Sequence, residues 1–267
     1  MIPAGIGRYQ AITRKIFKPL FMRLWHFEVT GLDNVPVAGP AVLCPNHAAA
    51  IDSAFLPAVL DRNLIYVGKS EYLDDWKTAK LFPAMGMIPI DRRGGDHAKA
   101  ALDAAKAVLK GGGLFGIYPE GTRSRSGKLH KGHTGAARLA IETGAPIIPV
   151  GLTGTAAVQP VDSTLPKFFR PVGVRFGEPI YVDRYQHRVG DRALYRELTD
   201  EVMFEIQELT GLEYVHTYAG KDAPVAARPV VEPAMPVRPP QTIERPSSTD
   251  VLTSRPLVNL EEVLASA

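Results

Sequence analysis

A chain of 267 residues with 45% hydrophobic and 22% charged side chains has the composition of a globular protein with a real core, which excludes a fibrous or low-complexity polymer. A formal net charge of +3 says little as a total, but two local basic patches, in residues 1–25 and between Glu120 and Arg138, favour anionic surfaces or substrates over wholesale coating of nucleic acid. One cysteine, Cys44, excludes an intramolecular disulfide and fits a reducing compartment. No run of about 18 apolar residues occurs, so no spanning helix is expected, and Arg14, Lys15 and Lys18 interrupt the stretch where a signal peptide would need its apolar core.

Residues 6–25 read as an amphipathic helix. Tyr9, Ile12, Ile16, Phe17, Leu20, Phe21 and Leu24 fall on one half of the cylinder and Arg8, Arg14, Lys15 and Lys18 on the other, with Pro19 expected to kink or split it. A basic face opposite an aromatic-rich apolar one resembles an interfacial membrane helix; a helix packed on its own domain with a solvated basic face fits the same pattern. From Phe27 onward, short apolar runs alternate with helical segments. Strands are expected at Phe27–Thr30, Ala41–Cys44, Leu64–Val67, Met87–Ile90, Leu114–Tyr118, Ile147–Leu152 and Val172–Phe176. Helices are expected at Ile51–Leu60, Ser70–Phe82, Ala98–Lys110, Gly132–Thr143 and Asp191–Leu209. Strands separated by helices predict an α/β fold, one sheet flanked by helices. After Gly220 the composition shifts: residues 221–267 hold many of the chain's 23 prolines and almost no aromatic residue, and read as a disordered tail. The expected organisation is therefore an interfacial helix over 1–25, an α/β domain over 26–220 and a Pro-rich tail over 221–267.

Two stretches carry chemistry. Asn46-His47-Ala48-Ala49-Ala50-Ile51-Asp52 follows an apolar strand that Pro45 cannot continue, with Asn46 suited to start a helix. That puts His47 at a strand's carboxyl end, where open α/β sheets form ligand crevices. A spacing of five separates the two side chains by about 140° on a continuous helix. They meet if His47 lies in the turn and Asp52 in the first helical turn, where the carboxylate takes one ring N–H and leaves the other nitrogen free as a base. Tyr118-Pro119-Glu120-Gly121-Thr122-Arg123 adds a carboxylate, a flexible glycine and a cation where another strand gives way to a loop. Other chemistries fit worse. There is no G-x-S-x-G nucleophile elbow, no P-loop and no metal signature, and Cys44 inside an apolar strand reads as a small buried hydrophobe.

With these residues in view, the chain resembles the glycerolipid acyltransferases, of the 1-acyl-sn-glycerol-3-phosphate acyltransferase type. Pro45–Asp52 looks like the family's N-H-x4-D block, Gly86–Arg92 like its second block, Tyr118–Ser124 like the E-G-T-R-S block and Pro146–Val150 like the fourth. The resemblance spans about residues 26 to 210. It implies a glycerol-3-phosphate acyltransferase-like α/β fold and transfer of a fatty acyl group from acyl-CoA or acyl carrier protein to the free hydroxyl of a lysophospholipid, giving phosphatidic acid. It further implies His47 as general base, Asp52 as its orienting carboxylate, and Lys69, Arg92, Glu120, Gly121, Thr122 and Arg123 as the acceptor's binding residues. Glu120 shapes the loop or holds a hydroxyl in that reading, while Arg123 and Lys69 hold phosphate. No metal or cofactor is expected beyond the thioester co-substrate, and no nucleic acid. The expected setting is cytoplasmic, peripheral on the inner face of the cell membrane through the N-terminal helix. The same blocks would also suit another lipid or glycolipid acceptor, and a catalytically silent lipid-binding module is the rival from outside enzymology.

Overall fold

Strands that are apolar throughout need cover on both faces, and the fold supplies it. The computed structural model describes residues 10–69, 83, 86–90 and 97–220. Strands β1 (His26–Thr30), β2 (Ala41–Pro45), β3 (Leu64–Lys69), β4 (Met87–Ile90) and β5 (Leu114–Gly116) are followed by a short β6 (Leu129–His130). Then come β7 (Ile147–Thr153), β8 (Pro171–Phe176) and β9 (Tyr214–Val215). Seven of them form one sheet in the order β1-β8-β7-β2-β5-β3-β4, while β6 and β9 pair separately. Neighbours in the large sheet are parallel except β7 and β8, so β2, β3, β4, β5 and β7 all point the same way.

The helices are α1 (Gln10–Leu24), α2 (Asp52–Val59), α3 (His97–Lys110), α4 (Gly135–Thr143), α5 (Thr155–Val158) and α6 (Arg192–Thr210). Strand periodicity of two sorts the core into two halves. Val42 and Cys44 of β2 join a cluster with Val108 and Leu109 of α3, Leu139 and Ile141 of α4, and Leu198, Val202 and Ile206 of α6. The alternate residues Ala41 and Leu43 join Phe55, Leu56 and Val59 of α2 together with Trp25. The result is a three-layer α/β sandwich, as the alternation of strands and helices predicts. Cys44 is fully buried, and desolvation pushes its thiol far above the ordinary range, in keeping with an inert core residue.

Several expectations need correction. Strand β5 stops at Gly116 rather than Tyr118, and Pro119 cannot extend the ladder. Helix α4 begins at Gly135 instead of Gly132. The preceding segment is spent on other bonds: His133 N–H donates to the Pro119 carbonyl at 2.7 Å, and Arg196 donates to the Gly132 carbonyl at 2.7 Å. The small β6/β9 pair and the single turn of α5 carry too short a pattern to be anticipated. Pro19 does not split α1; its ring stands exposed and removes only its own N–H from the helical ladder. The expected helix over 70–82, Arg92 and the tail 221–267 lie outside the described residues.

The orientation of α1 is the least anticipated result. Arg14 donates to the Arg62 carbonyl at 2.9 Å and to Asn63, and Lys18 pairs with Asp61 at 3.3 Å, so part of the basic face is turned to the body. Gln10 is buried and exchanges two hydrogen bonds with the Leu64 backbone. Ile12, Ile16 and Leu20 are left exposed. Lys15 and Arg23 stay exposed, so the helix packs on the body with only part of its basic face in solvent.

Candidate active site

The chain leaves β2 toward β3 by way of α2 on one face of the sheet, and leaves the adjacent β5 toward β7 by way of α4 on the other face. Such a reversal opens a crevice at the carboxyl edge of the two strands. Both chemistry-bearing stretches fall there: His47 follows β2 and Tyr118–Arg123 follows β5. Lys69 ends β3 on the same edge, as Ile90 ends β4.

Asn46 does not start the helix. Its side-chain amide exchanges hydrogen bonds with the Leu152 backbone, accepting at 2.7 Å and donating at 2.9 Å, and so prolongs the β2–β7 ladder beyond Pro45. The backbone is then free to turn, and Asp52 organises that turn. Its Oδ2 accepts from the N–H groups of Ala48 and Ala49, both at 2.8 Å, and lies 3.0 Å from His47 Nδ1. The meeting of His47 and Asp52 across a turn is the arrangement that the spacing of five requires. An oxygen already accepting two backbone N–H groups is an acceptor toward the ring as well, so Nδ1 carries the proton and Nε2 presents its lone pair. Asp52 is fully buried, so the carboxylate oxygen that meets the imidazole does so away from solvent. The His47 side chain keeps 15% of its surface exposed.

Tyr118 holds the ring from the other side. Its aromatic ring stacks on His47 with centroids 3.8 Å apart and planes 18° from parallel, and its hydroxyl bonds Ser53 Oγ at 3.0 Å. Tyr66 donates to the Ser53 carbonyl at 3.0 Å. Burial first, then the Asp52 charge, holds the Tyr118 hydroxyl well above its ordinary range, so this phenol stays protonated. Tyr118 is a positioning residue that the sequence reading named within a motif but gave no part; only its place beside proline hinted at a turn.

Of the two parts expected of Glu120, shaping the loop and holding a hydroxyl, the geometry displays the first. Glu120 is 1% exposed, and its two oxygens accept from the backbone N–H groups of His47 and His130, each at 3.0 Å. It ties the His47 turn to the segment before α4. Burial pushes its carboxyl up to about 7, against the opposing pull of those two N–H groups. A second tie comes from Ser124 N–H, which donates to the His47 carbonyl at 2.7 Å. Gly121 turns with φ +73°, and a Cβ there would stand 3.0 Å from the His133 ring, so the position suits glycine twice over. Thr122 is half-buried, and Arg123 reaches the Val161 carbonyl at 3.3 Å. The Lys69 side chain and all of Arg92 lie outside the described residues.

The Glu120 bridge has a testable consequence. Glu120→Gln places an NH2 group against one of two backbone donors, which costs about 1–3 kcal/mol for the orphaned buried group. Wild-type stability from this residue is fully present below the ordinary carboxyl value and falls as pH rises through about 7, because the fold prefers the protonated form. Glutamine does not titrate. The stability gap between the two proteins should therefore be widest near pH 5 and narrow by pH 8. Thermal melts across that range measure it, and a gap that widened with pH would contradict the assignment.

Residues 26–153 match the acyltransferase family model. A 1-acyl-sn-glycerol-3-phosphate acyltransferase of Borreliella burgdorferi is 32% identical over 127 residues, covering 48% of this chain and 51% of that protein. The human 1-acyl-sn-glycerol-3-phosphate acyltransferase alpha is 30% identical over 124 residues, covering 46% and 44%. The chain thus spans about half the length of the curated relatives it matches. Among solved structures, the 1-acyl-sn-glycerophosphate acyltransferase PlsC of Thermotoga maritima superposes with a TM-score of 0.58 at 23% identity, over 75% of this chain and 79% of that one. At that identity the likeness concerns the fold.

Proposed function

Starting from the match of residues 26–153 to the acyltransferase family model, we propose that the chain transfers a fatty acyl group from a thioester to the free hydroxyl of 1-acyl-sn-glycerol-3-phosphate, forming phosphatidic acid. The observation that carries this reading is the His47–Asp52 pair, whose hydrogen bonding leaves Nε2 as the base. Nε2 takes the proton of the acceptor hydroxyl as the oxygen attacks the thioester carbonyl. The tetrahedral centre collapses with cleavage of the carbon–sulfur bond, and the proton held by His47 passes to the departing thiolate of coenzyme A or acyl carrier protein. The step balances with one base and needs no acyl-enzyme. Asp52 stabilises the imidazolium formed midway, and general-base catalysis of this kind contributes roughly 10²–10⁴-fold.

Phosphate recognition falls to Arg123, with Lys69 and Arg92 as partners, because a guanidinium matches two phosphate oxygens at once. Glu120 acts through the backbone it bridges, and Gly121 and Thr122 line the approach. Arg123→Ala should raise the acceptor KM by roughly ten- to hundredfold, the range expected when a charge-assisted hydrogen bond is lost, with a smaller effect on kcat. Steady-state thiol release with lysophosphatidate, set beside a phosphate-free monoacylglycerol, measures this. An unchanged KM for lysophosphatidate would remove Arg123 from the phosphate site. The same acceptor pair tests the function itself: equal rates with both would exclude lysophosphatidate as the specific acceptor.

No helix among the described residues is long and apolar enough to cross a membrane. Both proposed substrates are amphiphiles, and α1 turns Ile12, Ile16 and Leu20 outward. We therefore place the protein peripherally on the cytoplasmic face of the cell membrane, with α1 in the interface. The outward apolar stripe, flanked by the exposed Lys15 and Arg23, supports that placement.

A further inference from the structure

We infer that residues 165–170, in the connector between α5 and β8, form a second lipid-contacting element that adjoins α1 and completes a docking surface for an anionic phospholipid membrane. The inference deepens the peripheral placement proposed above and rests on it. Leu165, Phe168 and Phe169 are 76%, 50% and 66% exposed, a density of bare large apolar side chains that a solvated loop has no use for. Lys167 and Arg170 lie exposed among them, and no acidic residue occurs from 163 to 170.

The backbone is committed to this display. Phe169 has φ +57°, a conformation that bulky residues rarely adopt, and its ring gains no burial in return. Strain of this kind persists where surrounding bonds over-determine it, and it marks functional segments. Here Phe169 N–H donates to the Leu24 carbonyl at 2.7 Å, Trp25 Nε1 donates to the Lys167 carbonyl at 2.8 Å, and the Phe168 ring lies 5.4 Å from that of Trp25. The loop is thereby fastened to the last turn of α1, the helix whose Ile12, Ile16 and Leu20 are bare.

Charge selects the occupant. Helix α1 has no acidic residue between 10 and 24, and Lys15 and Arg23 are exposed on it. Apolar side chains rimmed by cations suit an anionic bilayer, whose headgroups attract Lys and Arg while the acyl region takes Phe and Leu. A second copy of this chain would bring like charges together. The connector also reaches the site: Gln159 accepts from the Ile51 N–H at 2.9 Å, and the Val161 carbonyl receives Arg123. Leu165 lies four positions after Val161, about 14 Å at full extension. Docking at 165–170 would hold the edge of the His47 crevice at the lipid surface.

The test uses the full chain with vesicles of mixed phosphatidylglycerol and phosphatidylcholine, and with phosphatidylcholine alone. Phe169→Gly removes the ring at a position whose φ glycine adopts freely, so its melting temperature should be unchanged or raised; Leu165→Ser removes a second bare side chain. The double variant should sediment about tenfold less with anionic vesicles while keeping turnover on a short-chain, monomeric acceptor. Undiminished sedimentation of the double variant, with loss on Ile16→Glu, would overturn the role of the loop and leave α1 as the anchor. Failure of the wild-type protein to bind anionic vesicles would overturn the peripheral placement itself. A shift from dimer to monomer in analytical ultracentrifugation, with vesicle binding intact, would reassign the surface to contact between copies and overturn the proposal.

Discussion

Replacing His47 with alanine should lower acyl transfer by roughly 10²–10⁴-fold, because no other group in the turn can take the acceptor's proton. The ring is reached from solvent through only 15% of its surface, and Asp52 and Tyr118 fix its plane. Truncation removes the stack on Tyr118 and one hydrogen bond to Asp52 Oδ2, yet Ala48 and Ala49 still hold that oxygen. Stability should therefore fall by only about 1–2 kcal/mol, an ordinary cost for one substitution. Thiol release from acyl-CoA in the presence of acceptor reads the first effect, and a thermal melt reads the second. Turnover near the wild-type level in a folded variant would exclude His47 as the base.

Asp52→Asn should lower turnover by about 10²-fold or more, for a different reason. The asparagine oxygen can still accept from Ala48 and Ala49, and its amide group would occupy the place of Oδ1, where the wild-type oxygen has no partner. The turn should survive. The negative charge that favours the imidazolium is lost, and if the amide turns toward the ring its N–H faces Nδ1 and selects the wrong tautomer. The expected signature is a fall in kcat with acceptor KM nearly unchanged, since Asp52 is fully buried and bonds the ring at Nδ1. A rise in KM alone would mean that the carboxylate serves binding rather than catalysis.

The legible part of the site is its local part. A histidine and an aspartate five positions apart can meet only within one turn, so their pairing follows from chain geometry once Pro45 ends the strand. The α/β architecture was equally readable, because β2 and β7 carry uninterrupted apolar runs and α6 carries a helical stripe. Glu120 was harder. Its type and motif left loop shaping and a ligand contact both open; the partners that decide are backbone N–H groups 73 and 10 positions away, invisible to any local pattern. Asn46 shows the same limit: a good helix-starting residue by type, it is claimed by Leu152, 106 positions on.

By itself, then, the order of residues determined the kinds of chemical group, the turn that joins imidazole to carboxylate, and the layered architecture, all of which depend on neighbours a few positions apart. Tertiary structure alone decided that Tyr118 stacks on the imidazole, that Glu120 braces the backbone, and that α1 turns its isoleucines outward while Arg14 and Lys18 grip the body. Those outcomes belong to contacts between distant segments. A polar side chain finds its partner only after the sheet has assembled, and the face a helix buries is chosen by the surface it lands on.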